Sequence, residues 1–149
     1  MTAEKIGVAV AATLAATLLL QPLARAEQWA YAMQTGHGNH SIQVDVDSLA
    51  QKPGYIAARL LYEYYRVETA RSAVVDGAFD CKQRRFQPLS RTEYAAAEAK
   101  GAAGATSRFE LTEQRWKPDS ADPETFAIID WVCSVATHKL PQDQAGSMP

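Results

Sequence analysis

Apolar and polar positions alternate with a period of two through the middle of the chain and change to a helical period only near its end. Ile42, Val44 and Val46 fall on one side of an extended segment while Gln43, Asp45 and Asp47 fall on the other, the pattern of a half-buried strand. Before it, Trp29 to Met33 predicts a first strand with Trp29 and Tyr31 on one face, ended by the loop Gly36-His37-Gly38-Asn39. Pro53-Gly54 marks a turn. Tyr55 to Val67 then predicts a long central strand, with Ile56, Ala58, Leu60, Tyr62 and Tyr64 on one face and Tyr55, Ala57, Arg59, Leu61, Glu63 and Tyr65 on the other. After a polar turn from Thr69 to Ser72, Val75, Gly77, Phe79 and Cys81 share one face of a further strand, and its basic continuation Lys82 to Phe86 leaves the core. Pro88 and Ser90 predict a turn and Arg91 to Tyr94 a short strand. The segment Ala95 to Ala105 combines good helix formers with Gly101 and Gly104 and reads as a long hairpin tip. Phe109 to Trp116 makes the last strand, which Lys117-Pro118 stops.

The change of period begins at Asp122. Its carboxylate can accept from the free amides of a helix start, Pro123 fits the first helical position without losing a bond, and Glu124 complements the positive end of the helix dipole. Phe126, Ile129, Val132 and Cys133 line one face of a helix of about 12 residues, widened by Ile128 and Trp131. Beyond it the chain loses apolar periodicity, and residues 137–149 read as a disordered tail.

The N-terminus changes the picture of where such a domain works. Lys5 precedes an uncharged run of 15 residues, Ile6 to Leu20, then Pro22 and the small-residue pair of Ala24-Arg25-Ala26. That is the layout of a secretory signal over residues 1–26, cut before Glu27; the run falls short of the roughly 20 residues that span a bilayer. Gln21 to Glu27 contains no cysteine to carry a lipid, so a soluble periplasmic or secreted product with no stable membrane anchor is expected. Without Lys5, Arg25 and Glu4, 13 basic residues face 16 acidic ones, a net charge of −3, which argues against nucleic acid as a partner. Export to an oxidising space makes Cys81 and Cys133 an expected disulfide, the one intramolecular pairing available. A metal pair or a catalytic thiol competes with that reading, but no second ligand pair flanks either cysteine and there is no CxxC.

Candidate chemistry is sparse. His37 and His40 offer two imidazoles without further ligands and read as a solvated loop. Lys82, Arg84 and Arg85 form a basic cluster beside Phe86 that would suit an acidic partner, or would simply be a solvated strand end with Lys82 and Arg84 on one face and Arg85 on the other. Tyr55, Tyr62, Tyr64 and Tyr65 could form a binding platform or pack in the core. Asp45 and Asp47 share a face, as the wet side of a strand does. No nucleophile elbow, phosphate loop or metal-protease helix is present.

A set of spaced residues carries a family likeness: Trp29, Val46-Asp47-Ser48-Leu49 ahead of the long strand, Phe79-Asp80-Cys81, Tyr94, Trp116-Lys117-Pro118, and Cys133 in the C-terminal helix. From Trp29 to about Ser134 the chain resembles the surface-adhesin protein E family of proteobacterial exported proteins. The resemblance implies an α+β fold, a curved antiparallel sheet of about six strands with one C-terminal helix packed on it and disulfide-linked to it, agreeing with the pattern above. It implies residues 27–136 as one adhesin E-like domain and a non-catalytic binding module for a protein partner, of host matrix or envelope, with no cofactor and no metal. The adhesin that names the family is a surface lipoprotein, and this chain lacks the cysteine such display needs. Tyr55, Tyr65, Lys82 and Arg84 are the expected binding residues. The alternative is a small periplasmic ligand-binding domain or an enzyme of unknown substrate, which a deep pocket with convergent polar groups would favour.

Overall fold

The computed structural model describes residues 27–34, 39–65 and 70–140. Five strands follow one another as an antiparallel meander: β1 (Trp29–Gln34), β2 (His40–Lys52), β3 (Tyr55–Tyr64), β4 (Ser72–Asp80) and β5 (Arg85–Tyr94). The outer edge of β5 is covered in two short pieces, β6 (Ser107–Arg108) opposite Ser90 and Arg91, and β7 (Lys117–Pro118) opposite Arg85 and Phe86. Helix α1 (Pro123–Lys139) closes the described chain. The sheet is antiparallel and the helix lies across one of its faces, as the family resemblance implied.

Apolar positions of alternate parity build the interface between these two layers. Register sets Ile42 opposite Tyr62 and Val44 opposite Leu60 on β2 and β3, with Val75 beyond Leu60 on β4. These residues pack with Phe79, Phe86, Ile128, Ile129 and Val132 in one cluster. Each fully buried aliphatic side chain is worth about 1.5–3 kcal/mol relative to exposure, so this seam is the main source of cohesion. Cys81, at the end of β4, is bonded to Cys133 of α1 with their Cα atoms 5.5 Å apart. The expected pairing is therefore present, and it staples helix to sheet.

The Val46-Asp47-Ser48-Leu49 motif is a bulge in β2. Pairing with β3 breaks between Asp45 and Ala50, which would leave the Arg59 amide without a ladder partner. Ser48 Oγ accepts from that amide at 2.8 Å and donates to the Asp45 carbonyl at 2.6 Å, while Asp45 Oδ1 accepts from the Asp47 amide at 3.1 Å. The bulge lets Leu49 enter the core on a strand that runs on to Lys52.

Several elements differ from the sequence expectation. Lys82 to Arg84 do not continue β4; they form its turn into β5, with Arg84 in the left-handed region at φ 52. Alternation cannot see a turn whose residues are all polar. Pro88 and Ser90 lie inside β5, where a register shift at Asp76/Gly77 accommodates the proline. No strand spans Phe109 to Trp116: residues 113–115 form a short 3-10 turn, and Lys117-Pro118 itself makes β7. Helix α1 has 17 residues rather than about 12, taking in residues 137–139 that read as tail. Phe126 is 51% exposed rather than on the core face; the buried stripe is Thr125, Ile128, Ile129, Val132 and Ala136. The signal, the loop at 35–38 including His37, residues 66–69 and the end of the tail lie outside the described residues.

Candidate functional site

The two faces of the sheet carry different chemistry. On the face away from α1, Arg59 of β3 stands between carboxylates at the mouth of a cleft of about 490 Å³ lined by Glu27, Asp45, Asp47, Arg59 and Asp76 with Ala57 and Leu89. Its Nε donates to Asp76 Oδ1 at 2.9 Å and one Nη to Glu27 Oε1 at 3.2 Å. Bonding to Asp76, opposed in part by burial, holds the guanidinium above its ordinary pKa. Asp76 also accepts from Ser90 Oγ at 2.7 Å, Asp45 from the Gln28 amide at 3.2 Å, and Asp47 from Lys139 Nζ at 2.9 Å. Asp45 is only 5% exposed. It organises the bulge, so the sequence view of Asp45 as the wet side of a strand is corrected. Asp45 and Asp76 hold the sheet's own parts together, and Asp47 ties the sheet to the end of α1.

Farther along the same face, the hairpin tip after β5 folds back onto the sheet. Glu63 accepts from the Glu98 amide at 2.5 Å, Ser72 Oγ accepts from the Ala99 amide at 3.0 Å and donates to the Ala96 carbonyl at 2.6 Å. Glu98 and Ala99 both have positive φ, a conformation these anchors hold in place. Burial pushes the Glu63 carboxyl above the usual range.

On the helix side, α1 leaves one part of the sheet uncovered. There a recess of about 280 Å³ is lined by His40, Tyr62, Tyr64, Phe86, Pro88, Arg91, Phe109 and Glu124 with Val75. Tyr62 and Tyr64 sit two apart on β3, their ring centroids 6.4 Å apart and nearly parallel, and His40 of β2 lies 6.0 Å from one and 5.7 Å from the other. His40 Nε2 and Glu124 Oε2 are 2.8 Å apart. Arg91 donates to the Tyr64 hydroxyl at 2.8 Å and to Glu93 at 3.1 Å, with its guanidinium 5.9 Å from the Tyr64 ring centre. Burial above all, with the Glu124 carboxylate next, pushes the Tyr62 phenol well above its usual pKa. His40 was expected in a solvated loop; it is instead the first residue of β2, tied to the start of α1.

The four expected binding residues are not brought together. Tyr55 begins β3 and is half-buried, whereas Tyr65 lies just past its other end and is 55% exposed. Ten residues of strand separate them, about 33 Å. Tyr65 Oη and Ser41 Oγ are 2.8 Å apart. Lys82 is exposed in the β4–β5 turn. Arg84 of the same turn donates to Asp119 at 2.6 Å and to Asp130 of α1 at 3.3 Å, and stacks 5.3 Å from the Phe126 ring centre. Its guanidinium fastens the helix rather than facing solvent alone. Exposed aromatic surface away from the helix comes from Tyr31, 59% exposed, together with Tyr65. Tyr31 registers with Gln43, which registers with Leu61, so it belongs to the helix-free face.

Sequence reading did place Tyr62 and Tyr64 on one face, but it missed the recess. His40, Arg91 and Glu124 come from β2, β5 and α1 and Phe109 from the loop after β6, and only strand register and helix placement unite them. Among the described residues no three His, Cys, Asp or Glu side chains group as metal ligands, and no helix is long and apolar enough to cross a membrane. No curated protein and no solved structure matches the chain. The family model described as surface-adhesin protein E matches residues 29–134, which is most of the chain and takes in the whole sheet and both cysteines. The chain belongs to the surface-adhesin protein E family.

Proposed function

We propose that this protein is an exported, non-catalytic binding module that grips a protein partner with the helix-free face of its sheet and the loops at the sheet's ends. The observation that carries the reading is Tyr31 and Tyr65, two large aromatic side chains 59% and 55% exposed on a face that no helix covers. Tyrosine gives wide contact area with few rotors to freeze, which is why exposed tyrosines concentrate at recognition surfaces. Tyr55 and Lys82 lie toward the opposite end of the sheet and belong to the rim of this proposal. The partner is a host matrix or envelope protein. Release is by cleavage before Glu27, and support comes from the apolar run Ile6 to Leu20 followed by Ala24-Arg25-Ala26. The rival, a ligand-binding domain or enzyme, finds less support in the Arg59 cleft, whose carboxylates are engaged by the protein's own donors.

The test is capture from envelope and matrix extracts by the immobilised mature chain, repeated with Tyr31→Ala, Tyr65→Ala and Tyr55→Ala. Loss of about tenfold in affinity with Tyr31→Ala or Tyr65→Ala is expected, and a smaller loss with Tyr55→Ala. Capture unchanged by all three would remove this face from the function.

A further inference from the structure

We propose that the recess between Tyr62, Tyr64, His40, Arg91 and Phe109 is a seat for a proline-rich segment of a protein partner in the extended polyproline conformation. The argument starts from Tyr62. It is 8% exposed, yet it lines the recess, and its hydroxyl has no hydrogen-bond partner among the described residues. Among the described residues no buried side-chain oxygen lacks a partner, so this hydroxyl reaches the open side of the recess, the direction from which a ligand acceptor arrives.

The other groups define that acceptor's surroundings. The floor and walls are ring faces: the stacked Tyr62 and Tyr64, His40 across both, and Phe86 and Phe109, with Pro88 beside them. The polar groups added to this apolar lining are mainly donors. Tyr62 offers an O–H and the Arg91 guanidinium stands at the Tyr64 hydroxyl, while the Glu124 carboxylate, the one strong acceptor, is engaged by His40. A ligand that suits such a lining is apolar, presents flat saturated rings, and is rich in acceptors but poor in donors. A run of prolines has that inventory, because proline lacks an N–H and the polyproline helix makes no internal hydrogen bonds, leaving every carbonyl free. Aromatic-lined grooves with hydroxyl and N–H donors are the general means of docking such segments, since the ligand is already ordered and loses little entropy. A sugar ring, by contrast, brings as many donors as acceptors and would leave hydroxyl protons without partners here.

This seat rests on the proposed function only in taking a protein as the partner; it lies on the opposite face from Tyr31. It can be tested without that partner. The mature, disulfide-bonded chain is titrated with acetylated, amidated decaproline, followed by NMR of the aromatic side chains. Saturable binding is expected, with shifts confined to Tyr62, Tyr64, His40 and Phe109. Tyr62→Phe keeps the ring and the fold and removes only the donor; it should weaken binding about fivefold, the effect of one neutral hydrogen bond. Tyr65→Ala should leave decaproline binding unchanged. Absence of saturation, shifts elsewhere, equal binding by Tyr62→Phe, or binding of an N-acetylglucosamine trimer in place of decaproline would each overturn the proposal. None of these outcomes would alter capture through the Tyr31 face.

Discussion

Gly77 shows how one residue sets a local limit. A Cβ built there would lie 2.5 Å from the Phe86 ring and 3.1 Å from Phe79. Those two rings are themselves packed at 4.8 Å and buried, so neither can swing aside. Gly77→Ala should therefore destabilise the fold by about 1–3 kcal/mol through overpacking, read as a lowered urea midpoint with unchanged slope. An unchanged midpoint would show that Phe86 has room to move. At this scale the sequence was informative about faces and silent about roles. Alternation correctly assigned Leu60 and Tyr62 to the face that became core. It could not say that Asp45 and Ser48 would replace a missing rung of the ladder, because that depends on where β2 and β3 lose register.

Among elements, α1 was the most legible, since its start is written in local chemistry. Asp122 Oδ1 accepts from the Thr125 amide at 2.7 Å and Oδ2 from the Thr125 hydroxyl at 2.9 Å, as a capping residue should. The amide bond chiefly holds the carboxyl below its ordinary pKa. A folded-state pKa below the unfolded one means this contribution is fully present above about pH 4 and fades as pH falls through the folded value. Asp122→Ala should cost about 1 kcal/mol at neutral pH, and the gap from the parent should narrow in acid. Asp122→Asn, which still caps, should lose less. Thermal melts of the three proteins between pH 7 and pH 3 measure this, and a gap that widens in acid would contradict it. The short strands β6 and β7 were illegible for the opposite reason. Two residues carry no periodicity, and β7 exists because β5 has an open edge to cover at Arg85 and Phe86. The Trp116-Lys117-Pro118 motif thereby acquires a structural meaning: Arg85 stacks 4.8 Å from the Trp116 ring centre beside that pairing.

For the whole molecule the question is what keeps the two layers together. Three kinds of tie join α1 to the sheet. The apolar seam of Ile128, Ile129 and Val132 runs along its middle. Polar contacts hold its ends, His40 to Glu124 near the start, and Lys139 to the Val46 carbonyl and Asp47 at the finish, the last two at 2.9 Å. The third tie is Cys81–Cys133. The polar pairs are partly exposed, and such pairs contribute about 0–1 kcal/mol each. The disulfide closes a loop across a sequence separation of 52, which on the chain-entropy model restricts the unfolded chain by about 4 kcal/mol. It therefore outweighs the polar ties. Cys133→Ser, or reduction, should lower stability by about 2–5 kcal/mol. A helix of this length is marginal in isolation, so once unstapled it should open before the meander, whose five strands form one continuous backbone ladder with β6 and β7. Limited proteolysis of oxidised and reduced protein should then release the C-terminal helix first and leave a protected sheet. Simultaneous loss of helix and sheet would mean that the seam at Ile128 and Val132, rather than the bond, is what makes the two layers one cooperative unit.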